Sequence, residues 1–184
     1  LAMLGDATKF MAVLNSVTID STGDTKNDHG NWNNGGPKTY TLTVGEEKID
    51  LSDKNLGSAD VALVATWLQR PEVSAAINSV TIDSTGSRKL SSGSPDYASQ
   101  EQVDASGPRT YTLTVGEQKI DLSQKNLGSA DVALVATWLQ RPEVNAALTS
   151  INCLANNFGD DDLATLLTAI EGTSVRSLCG LTEG

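Results

Sequence analysis

The sequence predicts an α/β fold. It is a leucine-spaced solenoid of stacked units, with a mixed, mostly parallel sheet, helices on one face and inserted antiparallel strands. Three observations predict it. The stretch TYTLTVGEEKIDLSDKNLGSADVALVATWLQRPEVSAA, residues 39–76, returns at 110–147 with only Glu47, Asp53 and Ser74 replaced by Gln118, Gln124 and Asn145. Within each copy the apolar spacing passes from a period of two to one of 3.6, the mark of strands followed by a helix. A unit that cannot bury both flanks of its own helix needs a neighbour on each side, so copies stack.

Each element follows from its residues. In NSVTIDSTG, at 15–23 and again at 78–86, Val17 and Ile19 alternate with polar residues, as do Val80 and Ile82, so these are strands buried on one side. Residues 24–38 and 87–109 are rich in Gly, Asn, Ser and Pro, and are connecting loops. In TYTLTV, Tyr40, Leu42 and Val44 share a face, as do Ile49 and Leu51 in KIDLS, with a short turn at Gly45 between them. In NLGSADVALVATWLQRPEV, Ser58 is the expected N-cap and Asp60 suits the positive helix end. Val61, Val64, Ala65 and Leu68 form one stripe, widened by Leu63 and Trp67, and the helix stops before Pro71. VTID running up, TYTLTV returning and KIDLS running up again gives about eight strands in one mixed sheet.

The closing stretch LTSINCLANNFGDDDLATLLTAI places Leu148, Ile151, Cys153, Asn156 and Phe158 at the offsets L-x-x-L-x-L-x-x-N-x-L. This resembles the leucine-rich repeat family in its ribonuclease-inhibitor-like, helix-containing form. Ile77, Val80 and Ile82, with Thr85 at the Asn position, fit the same frame, as do Ile49, Leu51 and Leu56 with Lys54 there. The resemblance implies an Asn amide tied to the backbone of neighbouring turns, and a looser edge where Lys54, Thr85 and Lys125 replace it. The TYTLTV strand has no slot in an ordinary repeat. The chain divides into units of roughly 14–76, 77–147 and 148–184 within a single repeat domain. Neither end shows a polar cap, so a fragment of a longer repeat protein, or self-association at uncapped ends, is expected.

Composition narrows the function. With 13 Lys plus Arg against 23 Asp plus Glu, the formal charge is -10, which repels nucleic acid and leaves basic proteins or glycans as partners. No run approaches the roughly 18 to 20 apolar residues of a membrane span. Localisation is not legible. No P-loop, G-x-G-x-x-G after a strand or H-E-x-x-H is present, and the single His29 sits in a Gly/Asn loop without a nucleophile motif, so the chain does not read as an enzyme. No cofactor or metal is expected. Asp160, Asp161 and Asp162 read as helix capping and dipole complementarity.

Strand parity assigns the open face of the sheet to Thr18, Asp20, Thr41, Thr43, Lys48, Asp50, Thr81, Asp83, Thr112, Thr114, Lys119, Asp121 and Asn152. Eight strands at roughly 4.8 Å each would offer on the order of 700 Å², close to one partner's share of a protein interface. The expected function is a non-catalytic binding scaffold for protein–protein interaction, using Thr18, Asp20, Asp50, Thr81, Asp83, Asp121 and Asn152 together with the top loops. The alternative is a carbohydrate-binding or adhesive surface protein using His29, Trp32, Asn33 and Tyr97. There Trp32 would stack on a sugar ring while Asn side chains bond its hydroxyls. By the same parity Cys153 points inward and Cys179 to the other face, which argues against a disulfide.

Overall fold

A computed structural model describes residues 14–24, 26, 29–31, 33–86, 107–156, 159–179, 181 and 182. Trp32, Tyr97 and Phe158 lie outside the described residues. The elements, in chain order, are β1 (Ser16–Asp20), β2 (Thr39–Thr43), β3 (Lys48–Leu51), α1 (Ser58–Leu68), α2 (Pro71–Ser74), β4 (Ser79–Asp83), β5 (Thr110–Thr114), β6 (Lys119–Asp121), α3 (Ser129–Leu139), α4 (Pro142–Asn145), β7 (Ser150–Asn152), α5 (Asp160–Ile170), β8 (Ser177–Leu178) and β9 (Leu181–Thr182).

The strands do not form the single mixed sheet of a solenoid. They divide into three small sheets, β1-β2, β3-β4-β5 and β6-β7-β8-β9, in a small α/β fold with five helices among the described residues. The breaks fall inside the sequence units, between β2 and β3 and between β5 and β6. After β2 the Val44 N–H still bonds back to Asn15 O (2.8 Å), and the chain then turns at Gly45 with φ +83. The facing edges of β2 and β3 carry no ladder. Lysine ammonium groups reach across instead: Lys54 Nζ donates to Thr39 O (3.3 Å), and in the second copy Lys125 Nζ donates to Thr110 O (3.1 Å). The expected face of on the order of 700 Å² is therefore broken. The three-stranded sheet, at about 4.8 Å per strand and about 17 Å of strand length, offers roughly 250 Å².

What joins the units is pairing between them. β3 runs parallel to β4 with Ile49 opposite Val80 and Leu51 opposite Ile82. β4 then runs antiparallel to β5 with Val80 opposite Leu113 and Ile82 opposite Tyr111. Further along, β6, β7 and β8 are parallel and set Ile120, Ile151 and Leu178 in one row. Val80 and Ile82 are fully buried because β4 has a strand on each side, whereas Val17 and Ile19 of β1, flanked among the described residues only by β2, stay half-buried.

The apolar side of these strands packs under a layer of helices in which α3 contacts α1 on one flank and α5 on the other. Leu134 in α3 is fully buried, while its equivalent Leu63 in α1 is half-buried. Both α1 and α3 start at a glycine, Gly57 and Gly128, so Ser58 is the first helical residue and not the cap expected of it. Asp60 and Asp131, three residues into the helix, fold back to accept the glycine N–H (2.8 Å each) and so close the end that Ser58 does not. Each helix ends against an arginine, Arg70 or Arg141, stacked over the preceding Trp67 or Trp138 at 4.3 Å, with the following proline opening a short helix. Gly23 and Gly86 follow their strands because the backbone passes too close for a side chain. A Cβ on Gly23 would sit 2.3 Å from Asn55 O, and one on Gly86 would sit 2.0 Å from Asn126 O.

Candidate functional site

The polar side of the strands is laid out as parity demands. Thr18, Asp20, Thr41, Lys48, Asp50, Thr112, Lys119 and Asp121 are exposed, while Thr43, Thr81, Asp83, Thr114 and Asn152 are half-buried. Their side chains are tied to one another. Thr18 and Thr41 share a hydroxyl hydrogen bond of 2.8 Å, and Thr81 and Thr112 one of 2.9 Å. Thr39 Oγ1 donates to Asp20 Oδ1 and Thr110 Oγ1 to Asp83 Oδ1, both at 2.6 Å. The Asp53 N–H donates to Asp83 Oδ2 (2.6 Å), which stitches the turn after β3 to the end of β4.

Asp50 and Asp121 occupy equivalent places on β3 and β6. The Ser52 hydroxyl and N–H donate to Asp50, and those of Ser123 to Asp121, holding both carboxyls below the ordinary carboxylate value and thus ionised at neutral pH. Asp50 stands opposite Thr81, and Asp121 opposite Asn152. The three sheets do not make these residues one continuous face. Thr18 and Asp20 belong to the first sheet, Asp50, Thr81 and Asp83 to the second, and Asp121 and Asn152 to the third.

Of the loop residues, His29 and Asn33 are exposed, and Trp32 and Tyr97 fall outside the described residues. The loop is anchored by Asp24, which is buried. Its carboxylate accepts from Asn34 N–H (2.9 Å) and Gly36 N–H (2.7 Å), while Asn55 Nδ2 donates to Asn34 O (2.8 Å) and Gly36 O (2.9 Å). The second copy has Ser87 where Asp24 stands, so it lacks this carboxylate. Asn55 and Asn126, both in the left-handed region at φ +53, sit one residue after Lys54 and Lys125. Asn126 Nδ2 donates to Gly86 O and Gly107 O at 3.3 Å each.

A buried polar junction went unread in the sequence beyond its helix-end role. Asp131 is fully buried and accepts from Tyr111 OH (2.9 Å), Thr85 N–H and Oγ1 (2.8 Å each) and Gly128 N–H (2.8 Å). Asp60 repeats this with Tyr40 OH (3.0 Å), Thr22 N–H and Oγ1 (2.7 Å each) and Gly57 N–H. Burial raises the Asp131 carboxyl, a rise that its hydrogen bonds partly offset, and burial beside a carboxylate raises both tyrosine hydroxyls. With every oxygen committed to the fold, these carboxylates work as structural fasteners between strand ends and helix start. The recurrence of Thr and Tyr at matched offsets before each Asp was the available clue.

On the helix layer, a groove of about 750 Å³ runs between α1, α3 and α5, lined by residues such as Leu68, Gln69, Thr137, Gln140, Thr165 and Thr168. Its one titratable lining residue, Arg141, is buried, with Nη2 donating to Ser74 O and Ile77 O at 2.8 Å each. Among the described residues no three His, Cys, Asp or Glu side chains converge as metal ligands, and no helix is long and apolar enough to cross a membrane. No protein-family model matches the chain, and no curated protein or solved structure shows significant similarity to it.

Proposed function

We propose that this chain is a non-catalytic binding module that meets a protein partner on the polar side of its strands. The observation that carries this reading is a polar surface whose side chains are already fixed. Thr18–Thr41, Thr39–Asp20, Thr81–Thr112 and Thr110–Asp83 are joined by hydrogen bonds, so little rotamer entropy remains to be lost on contact. Helices cover the opposite side, which leaves this surface as the presented one. Asp50 and Asp121, ionised and exposed in a chain of formal charge -10, favour a partner with a basic patch. A partner's share of a standard interface is about 800 Å² per side, so it spans more than one of the three sheets and draws on the adjoining loops.

The test is affinity capture at low and high salt, followed by binding measurements on the captured protein with the wild type and an Asp50→Lys/Asp121→Lys variant. At least a tenfold loss of affinity, with a slowed on-rate, is expected. Equal binding by the charge-reversed variant overturns the reading. The carbohydrate alternative is separated by a glycan array. Glycan binding lost in Trp32→Ala but kept in the charge-reversed variant moves the site to the loop.

A further inference from the structure

Cys153 directly follows β7 and Cys179 directly follows its parallel partner β8, with Ile151 opposite Leu178. The register continues one step, since the Cys179 N–H donates to Ile151 O at 2.7 Å. In two neighbouring strands about 4.8 Å apart, residues offset by one position have Cα atoms roughly 5.8 Å apart, inside the window that a disulfide spans. The parity that sent the two side chains to opposite faces holds only for extended backbone. Cys179 has left the strand at φ +53, and this left-handed turn swings its side chain toward Cys153. Its Sγ accepts a hydrogen bond from Cys153 N–H at 3.2 Å. What the structure corrects is the parity that placed Cys179 on the other face; the two cysteines themselves stand as free thiols.

We infer that Cys153 and Cys179, which stand as free thiols here, form an oxidisable pair that closes an intrachain disulfide when the folded chain meets a small disulfide oxidant. Cys179 is half-buried and Cys153 buried, so the oxidant reaches Cys179 first. Burial, reinforced by the adjacent Cys179 sulfur, pushes the Cys153 thiol up to about 12, so Cys153 is not the thiol that reacts first, and its attack in the second step rests on its proximity to Cys179. With oxidised glutathione, Cys179 sulfur attacks one sulfur, forming a mixed disulfide and releasing one glutathione that carries off the Cys179 proton. Cys153 sulfur then attacks Cys179 sulfur and expels the second glutathione with the Cys153 proton. Two thiols are oxidised, one glutathione disulfide is reduced to two thiols, and no other reagent is needed.

The bond ties the strand after α5 to the strand before it, closing residues 154–178 into a loop. That helix is the one with least of its surface in the core: Leu166 and Ala169 are buried, whereas Leu163 and Leu167 are 42% and 46% exposed. The disulfide therefore clamps the last helix where packing holds it least, and does so only under oxidising conditions.

The experiment incubates the native chain with excess oxidised glutathione and reads intact mass, free-thiol count and thermal unfolding, with and without subsequent reductant. The expected result is loss of both thiols with the mass falling by two hydrogens, and a reductant-reversible rise in Tm of about 6–12 °C. The Cys153→Ala variant should stop at one glutathione adduct on Cys179. Two glutathione adducts on the native wild type, or an internal bond that forms only in denaturant, overturns the inference, as does oxidation without a rise in Tm.

Discussion

Replacing Asp131 by alanine tests the buried junction, because the same helix position recurs at an exposed helix end. The carboxylate of Asp131 satisfies four donors, Tyr111 OH, Thr85 N–H, Thr85 Oγ1 and Gly128 N–H, and is itself fully buried. A hydrogen bond to a charged group contributes about 1.5–3 kcal/mol, and a buried donor left without a partner costs about 1–3 kcal/mol. These terms are not additive, and water entering the vacated space recovers part of them. Asp131→Ala is therefore expected to cost about 3–5 kcal/mol. Asp162 holds the same place in α5 but, among the described residues, accepts only from Gly159 N–H (3.1 Å) and Ser129 Oγ (2.9 Å), at an exposed helix end. Asp162→Ala is expected to cost about 1 kcal/mol, the usual worth of a helix cap. Urea unfolding followed by circular dichroism gives both values, provided the m-value stays constant. A Tyr111→Phe/Asp131→Ala double-mutant cycle should return a coupling of about 1–3 kcal/mol. Equal losses at Asp131 and Asp162, or a coupling near zero, would refute the account of Asp131 as more than a helix cap.

Other expectations follow from the same structure. Leu134→Ala should cost about 3–5 kcal/mol and Leu63→Ala roughly half as much, since among the described residues only α3 has a helix on both flanks; urea midpoints for the two variants check this. The Asn156 amide accepts from Lys125 and Leu127 N–H (3.1 and 3.0 Å) and donates to Leu122 and Cys153 carbonyls (2.7 and 2.9 Å). Asn156→Ala should accordingly cost about 2–4 kcal/mol, and hydrogen exchange should accelerate at Lys125 and Leu127. For pH, Asp131 is raised above 3.8 in the folded chain, which then binds the proton more tightly than the unfolded chain. Its contribution to stability falls as pH rises from 3.8 through the raised value, and Asp131→Asn should abolish that fall in urea-derived free energies measured across the window. Asp50 and Asp121 have the opposite sign. Lowered below 3.8, they contribute stability above that value and lose it as pH falls through their folded values; carboxyl titration by NMR should place both midpoints below 3.8.

Much of the local structure was legible because it depends on neighbours in sequence. The alternation in SVTID, TYTLT and KIDL gave strands with the expected residues inward, and SADVALVATWL gave a helix ending before Pro71. The cap was misplaced by one residue, since a glycine N-cap leaves no side-chain mark and Asp60 closes the helix from within. The direction of the Cys179 side chain was not legible because parity presumes extended backbone, which its φ of +53 breaks. The loop clasp at Asp24 was invisible for a different reason: its partners, Asn34, Gly36 and Asn55, meet only once the strands on either side are in place.

By itself the sequence determined the duplicated units, the identity and facing of most strands and helices, the acidic balance and the polar character of one strand surface. All of these follow from composition and from periodicities of two and 3.6 along the chain. The tertiary structure alone decided how the strands group. Whether β2 closes onto β3 depends on the path of four turn residues and on where Lys54 sends its ammonium, and the apolar pattern is the same for one broad sheet or three small ones. The same holds for the Asp131 junction, where strand end, returning strand and helix start come from three distant stretches. A carboxylate there is a fastener because of what converges on it in space, which no local pattern encodes.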